Sequence, residues 1–584
     1  MCGIAGILSD TKKAMPKICL DGMLSALAHR GPDDTGRYLG KGIAIGHKRL
    51  SIVDLEGGHQ PIISKAGNVL AVNGMIYNFV ELKQDNPGYP YQTRSDSEAV
   101  LMLYEKHGPE FTQYLRGMYA IALYDPDKDR LILARDSFGI KPLYYAIAGD
   151  RLIFASQPQA LFAQGQVKPL LHAEKAAELL QLKFVTSRQT VFDGVLRVLP
   201  GETLVFKGTK LAEDFRRDAF KSRGAGPVSQ KTAFKELDKR LSETVSNYVR
   251  SDVPYGVFLS GGVDSCSIVA AMARAGQTGF PCYTARFPGS DLHDETRTAA
   301  AAAKMAGAEH ISLSIEPDDF WDNLPELIGH MDDPSMDPAM MANYLLARRA
   351  AQDVKVILGG DGGDEIFGGY RRYERALLPK FIKTKPLRAR GVFSGSGLLN
   401  QDDDAWRRDF AKSETHAREK TRTRLQAFQA TDGADFLPHF HLTKLDRCLM
   451  AHGIEGRTPL LDEDLAEFGF NLPDRLKLKR GKGKLLLRQW LNEALPAAQP
   501  FAKKRGFSTP VNFWIKSRAP EFAGFVCDQP GTRAMFDIDA VRNVFENPDG
   551  KSGKFLWPVL FFALWHERHI IGRRFTDMGQ LSGG

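Results

Sequence analysis

The chain has 584 residues, 43% hydrophobic and 25% charged, so it exceeds what one core sustains and reads as a globular protein of two or more domains. Its 78 basic and 70 acidic side chains leave a formal charge of +8, which accepts an anionic ligand but offers no dense basic face for nucleic acid. Six cysteines (Cys2, Cys19, Cys266, Cys282, Cys448, Cys527) form no CxxC pair, which excludes a zinc finger or a disulfide scaffold and suits a reduced compartment. The N-terminus carries no signal-peptide pattern and the apolar run Val559–Trp565 is too short to span a bilayer, so a cytoplasmic protein without a membrane partner is expected.

In chain order, residues 1 to 210 alternate β-rich runs with turns. Gly42–Gly46, Leu70–Asn73, Tyr119–Tyr124, Leu131–Ala134 and Leu152–Ala155 have strand length and lie between Gly, Asp and Pro signals. Helical patterns fall near Met15–His29 and Ser97–His107, and Val195–Phe206 around Pro200-Gly201 reads as a closing hairpin. This predicts a sheet-dominated α/β layer sandwich. Residues 211–231 read as a linker, rich in Gly, Ser, Pro and charge towards their end. Residues 232–584 form the second domain, opened by an amphipathic helix with Phe234, Leu237, Leu241, Val245 and Val249 on one stripe.

A strand (Gly256–Leu259), the turn Ser260-Gly261-Gly262-Val263-Asp264-Ser265 and a helix follow. Paired glycines, two hydroxyls and a helix N-terminus make a phosphate cradle. The Gly-Lys-Ser/Thr ending of phosphoryl-transfer P-loops is absent, and Asp264 beside phosphates points to Mg²⁺. Strands at Cys282–Phe287 and Lys355–Leu358 alternate with helices at Thr296–Ala306 and Pro338–Ala351, which predicts a doubly wound parallel sheet with its crevice at the strand C-termini. Leu377 to Arg424, with its basic run and Asp402–Asp404, reads as a solvated surface segment. The aromatics Phe555, Trp557, Phe561, Phe562 and Trp565 read as core.

Cys2 gains a second meaning if Met1 is removed. It then carries a thiol and a free α-amine of pKa about 7.7–8.0, which can take the thiol proton. Around it in sequence stand Arg30-Gly31-Pro32-Asp33, Arg49-Leu50-Ser51-Ile52-Val53-Asp54, Asn73-Gly74-Met75-Ile76-Tyr77-Asn78 and Ser95-Asp96-Ser97-Glu98. With Cys2 these closely resemble the glutaminase domain of N-terminal-nucleophile amidotransferases. The resemblance implies that Arg49 clamps the glutamine carboxylate, Asp96 holds its amine, Asn73 and Gly74 donate to the oxyanion, and Val53 and Met75 line the bound glutamine. Each pairing is chemically apt: guanidinium with carboxylate, carboxylate with ammonium, amide N–H with oxyanion.

The loop Ser260–Ser265 resembles that of enzymes that cut ATP between the α and β phosphates. With Leu358–Tyr370, Gly453–Asp462 and Lys503–Phe507 it makes nearly the whole chain resemble glutamine-dependent asparagine synthetases. The fold implied is an N-terminal-nucleophile layer sandwich followed by an ATP-pyrophosphatase domain on a parallel sheet. The implied ATP-binding set is Phe258, Ser260, Gly261, Gly262, Asp264, Ser265, Ala285, Gly359, Gly360, Lys484 and Lys504, with Asp264 and Asp364 on Mg²⁺. Asp361 is the candidate for removing a proton from the attacking ammonia. The implied activity is glutamine hydrolysis, passage of ammonia along a shielded path, and amidation of an acyl-adenylate, aspartate to asparagine, with release of AMP and pyrophosphate. Small-molecule substrates, no nucleic acid and compatibility with a homo-oligomer complete that expectation.

Three positions depart from the family pattern: Met75 for an acid, Gly359 for serine and Asp361 for glutamate. Met75 removes a negative group near the glutamine amine, which predicts weaker glutamine use and greater reliance on Asp96. Alternatives are the same chemistry on a sugar acid or peptide carboxylate, and a transfer-RNA-modifying adenylating enzyme. The second is disfavoured by the complete glutaminase set and the missing CxxC.

Overall fold

The computed structural model describes residues 1–584 except 1, 12, 14, 16, 224–227, 289–294, 380, 402, 503–508, 583 and 584. The N-terminal part is built on twelve described strands: β1 (Gly3–Ser9), β2 (Asp34–Leu39), β3 (Ile43–Arg49), β4 (Ile62–Ile63), β5 (Val69–Ile76), β6 (Gly117–Asp125), β7 (Arg130–Arg135), β8 (Tyr144–Ala148), β9 (Arg151–Ala155), β10 (Leu196–Arg197), β11 (Glu202–Lys207) and β12 (Lys210–Arg216). They form two six-stranded sheets, β10-β8-β9-β1-β3-β2 and β12-β11-β7-β6-β5-β4, with antiparallel pairing throughout.

Alternation along the strands makes the layers. Ile4, Leu8, Ile43 and Ile45 of the first sheet meet Val69, Ala71, Ala120, Ala122 and Leu133 of the second in one core. The opposite faces take helices. Ile18–Ala26 packs Leu20, Met23 and Leu24 beside Ala5, Ile7 and Ala44, and Glu98–His107 packs Val100, Leu101 and Leu103 beside Leu70, Val72 and Ile121. The layer sandwich is therefore present.

Two readings of detail are corrected. Val195–Phe206 is not a hairpin, because β10 pairs with β8 in the first sheet while β11 pairs with β7 and β12 in the second. The Pro200-Gly201 turn passes the chain from one layer to the other. Leu377–Arg424 is not simply a solvated segment: Leu387, Phe393, Trp406 and Phe410 are buried, and Arg408–Lys420 is a helix. Its charges alternate with apolar anchors that a reading by charge alone passes over. At the start of the expected linker, residues 211–216 lie in the edge strand β12.

The helix Gln230–Tyr248 opens the second half. Ser229 Oγ caps it by accepting from Thr232 N at 3.1 Å, and Ala233, Leu237, Leu241 and Val245 form its buried stripe. Beyond it β13 (Tyr255–Phe258), β14 (Pro281–Arg286), β15 (Glu309–Ser314), β16 (Val356–Leu358) and β17 (Glu455–Arg457) make a parallel sheet in the order β15-β14-β13-β16-β17. Helices Val263–Arg274 and Met340–Ala350 pack into different cores, the first with Val257 and Leu358, the second with Tyr283 and Ile357. Neighbouring inward and outward positions of the strands thus face opposite layers, the doubly wound arrangement. Strand order reverses beside β13, so the loops after β13 and β16 splay apart and leave a crevice. The aromatics from Phe555 to Trp565 are buried core.

Candidate active site

The first cluster lies at the start of β1. Cys2 N donates to Asn73 Oδ1 at 3.0 Å, Cys2 Sγ lies 4.0 Å from Leu50 O, and Arg30 Nε donates to Cys2 O at 3.1 Å. Asn73 is fully buried on β5, and among the described residues its Nδ2 has no hydrogen-bond partner. A buried amide donor left open beside a thiol is costly unless something accepts from it in the working state. Its neighbour Gly74 must be glycine, because a Cβ there would sit 2.0 Å from Met118 O across the β5–β6 pair.

Burial would raise the Cys2 thiol, but His47, the N-terminal amine and the Leu50 carbonyl outweigh it and hold the thiol below its ordinary value. Burial leads for Asp96 too and pushes it up to about 6, against the Ile76 N–H donating to its Oδ2 at 2.8 Å. Arg49 is clasped by the loop after β3, donating to Leu55 O at 3.0 Å, Val53 O at 3.3 Å and Asp54 O at 2.6 Å. Asp54 Oδ2 in turn accepts from Arg94 N at 2.9 Å, which ties the Arg49 loop to the segment bearing Asp96. Met75 is buried with Leu50, Ile52, Tyr77, Met118 and Ile140. That apolar cluster continues without a break to Leu461, Leu460 and Leu358 of the second half.

The second cluster fills the crevice of the parallel sheet, a cavity of about 240 Å³ lined by residues that include Phe258, Ser260, Asp264, Ser265, Ala285, Gly359, Gly360, Asp361 and Asp364. The turn after β13 is locally determined. Gly261 has φ +72°, Ser265 Oγ lies 3.1 Å from Ser260 Oγ, and Gly262 N donates to Ser260 Oγ at 3.3 Å. The loop after β16 comes so close that a Cβ on Gly360 would lie 2.8 Å from Ser265 N. Gly261, Gly262 and Lys484 support the cavity without lining it. Lys504 lies outside the described residues.

Lys484 Nζ donates to Asp364 Oδ1 at 2.6 Å and also to Asp264 Oδ2, so one ammonium bridges both predicted metal ligands. The two carboxylates therefore converge on a single cation position, and their all-oxygen chemistry fits Mg²⁺. Burial works against the Lys484 charge, but the two aspartates overcome it and raise its pKa. Asp361 is raised by burial, against Lys444.

Sequence reasoning passed over several cavity residues: Asn343, Glu365, Tyr370, His441 and Lys444. Tyr370 Oη donates to Glu365 Oε1 at 2.7 Å and lies 3.2 Å from His441 Nε2, while Lys444 Nζ donates to Asp337 Oδ2 at 2.6 Å. Burial, then Asp364, pushes Glu365 up to about 8. The available signal was a set of charges, Lys444, Asp446 and Arg447, on a helix whose every residue is buried. Such charges are retained where they are paired or used.

The two centres are fastened together by buried polar contacts. Arg30 makes a two-pronged pair with Asp446 (2.8 and 2.9 Å), Arg197 pairs with Asp333 at 2.7 Å, and Lys141 Nζ donates to Gly456 O at 2.9 Å.

A nucleophile held over an open amide donor, fixed to a phosphate-cradling crevice in the same chain, places the protein among amidotransferases that couple amide hydrolysis to a ligase reaction. Residues 236–567 match the family described as asparagine synthase, and residues 1–215 match a glutamine amidotransferase domain. The chain belongs to the asparagine synthase family and is an enzyme of that glutamine-dependent ligase type. It is 29% identical to "Asparagine synthetase [glutamine-hydrolyzing] 1" of Bacillus subtilis, over 98% of this chain and 97% of that protein. It is 31% identical to a "Putative asparagine synthetase [glutamine-hydrolyzing]" of Mycobacterium bovis, over 92% of each. It is also 26% identical to "Amidase chry2" of Gibberella zeae, over 98% of this chain and 99% of that protein. Among the described residues no helix is long and apolar enough to cross a membrane.

Proposed function

We propose that the chain releases ammonia from glutamine at Cys2 and uses it to convert aspartate to asparagine at the Ser260–Ser265 crevice, with ATP cut to AMP and pyrophosphate. The observation that carries this reading is the unbroken apolar cluster from Leu50, beside Cys2, to Leu358 and Leu460, beside the crevice. Ammonia crossing water would become ammonium and lose its nucleophilic lone pair, and an apolar interior keeps it neutral.

In the first centre Cys2 Sγ attacks the side-chain amide carbon, with Asn73 Nδ2 and the Gly74 N–H set to receive the oxyanion. Arg49 and Asp96 are set to hold the carboxylate and the ammonium of glutamine, and Val53 and Met75 to flank it. In the second, Phe258 and Ala285 flank the nucleotide, and the Ser260–Ser265 turn and Gly359-Gly360 approach its phosphates through main chain and hydroxyls. Asp264 and Asp364 would hold Mg²⁺, which when bound supplies positive charge against the phosphates. Lys484 and Lys504 add charge there. Asp361, raised by burial, is suited to take the proton that the attacking ammonia gives up. Lys444 beside Asp337, Glu365 and Tyr370 gives the cavity charges of both signs, which suits an amino acid carrying a second carboxylate.

The deciding measurement is pyrophosphate release with ATP, Mg²⁺ and ammonium. Release that depends on aspartate is expected, and it should survive Cys2→Ser while glutamine-driven release is lost. Aspartate-independent release would instead favour another carboxylate, a reading to which the full-length similarity to a protein titled an amidase lends weight.

A further inference from the structure

His47 stands on β3, opposite Ile4 of β1, fully buried. Because side chains repeat every two residues along a strand, Cys2 projects from the same face as Ile4 and is His47's diagonal neighbour across the pair. Ring orientation is fixed from the other side. His47 Nε2 lies 3.1 Å from Val72 O, and a carbonyl can only accept, so Nε2 carries the hydrogen and Nδ1 of the neutral ring is a bare lone pair. Among the described residues that Nδ1 makes no hydrogen bond of good geometry.

The other atoms around the sulfur are already committed or lack basicity. The Cys2 main-chain nitrogen donates to Asn73 Oδ1, Arg30 Nε is given to the Cys2 carbonyl, and Leu50 offers only a carbonyl oxygen. A basic nitrogen buried without a partner beside a buried thiol is expensive to keep unless the two share a proton.

We propose that His47 Nδ1 is the proton acceptor for the Cys2 thiol. The inference rests on Cys2 being the glutaminase nucleophile. The Sγ–H bond breaks, its proton passes to Nδ1, and the sulfur keeps the electron pair with which it attacks the amide carbon. As the carbon–nitrogen bond breaks, the same proton is returned to the departing nitrogen, which leaves as ammonia, so no further reactant is required. Nucleophile activation then does not depend on the α-amine alone. The lowered thiol, in which His47 contributes the largest opposing effect to burial, agrees with this arrangement. The charged or titratable groups facing the pair are Arg30, the N-terminal amine and His47 itself.

The test is the pH dependence of iodoacetamide alkylation at Cys2, followed by mass spectrometry of its peptide, in the full chain and in His47→Gln. Glutamine at 47 keeps a donor for Val72 O but has no titrating lone pair. The midpoint in the unmodified chain should lie below the ordinary thiol value of about 8.5. In His47→Gln it should rise by about one unit, so alkylation well below both midpoints slows about tenfold. An unchanged midpoint in the variant overturns the proposal. A purely packing role would change the plateau rate through access to the sulfur and leave the midpoint alone. Should His47→Gln not fold, the thiolate absorbance near 240 nm, unmodified chain minus Cys2→Ser, reads the same midpoint, and a value at or above about 8.5 overturns the proposal equally. Failure of the underlying reading shows elsewhere, as glutaminase activity that survives Cys2→Ser.

Discussion

Asp96 shows how one buried carboxylate can set a working range. Burial pushes it up to about 6, and with methionine at 75 no neighbouring acid on β5 shares the task of holding an ammonium. The sign follows directly. Above about 6 the group is ionised and can pair with the glutamine amine, and below it the group is neutral and cannot. The ratio kcat/KM reports the free enzyme, so for glutamine it should fall about tenfold per unit as pH drops below that value. The measurement is glutamate release between pH 5 and 8, with Asp96→Asn expected to be slow and to lack the inflection. A flat profile through that range would mean that Asp96 does not hold the substrate.

At the scale of elements, the turn after β13 makes a sharp contrast between adjacent glycines. Gly261 has φ +72°, and a Cβ there would meet Glu295 O at 3.1 Å. Gly262 sits at φ −76°, where a Cβ would meet only Ser260 Oγ at 3.1 Å. The left-handed conformation costs a non-glycine residue about 1–2 kcal/mol, so Gly261→Ala should open the cradle and raise the KM for ATP about tenfold or more. Gly262→Ala should do so much less, and neither should alter glutamate release. Equal effects would show that loop conformation is not what the glycines provide. This turn was legible because its residues act through local backbone rules, as were β6 and β7, whose apolar runs are buried from end to end. His47 was not, since β3 continues through His47-Lys48-Arg49, where apolar patterning stops but pairing with β1 does not. Lys444 and His441 were hidden for a related reason. They follow a π-helical stretch, Asp432–Leu442, in which Pro438 interrupts the period that sequence reading relies on. The segment 377–424 and the step from β10 to β11 failed because partners far along the chain, not local pattern, decide where they lie.

At the scale of the molecule, the question is what keeps two centres in one register, and Arg30 answers it chemically. The same guanidinium donates to the Cys2 carbonyl and grips Asp446, next to Arg447 and on the helix that carries Lys444 into the crevice. Burial opposes the Asp446 charge, but Arg30 and then Arg447 hold its carboxyl well below the usual range. Such a depressed carboxylate adds stability that is present above its unfolded value of about 3.9 and is lost as pH falls below that towards the folded value. Breaking a buried pair costs about 3–5 kcal/mol, because the surviving charge stays buried. Arg447 Nη1, 2.8 Å from Asp446 Oδ2, gives Asp446→Asn a second buried cation to leave uncompensated. The variant should unfold several degrees lower than the unmodified chain at pH 7, and the gap should stay constant down to about pH 4.5 and close below about pH 4. It should also uncouple the centres: with glutamine as donor, glutamate formed per pyrophosphate released should rise above one as ammonia escapes the loosened interior. If the ratio stays at one while the unfolding temperature falls, Arg30–Asp446 holds the fold together but does not govern the passage between sites.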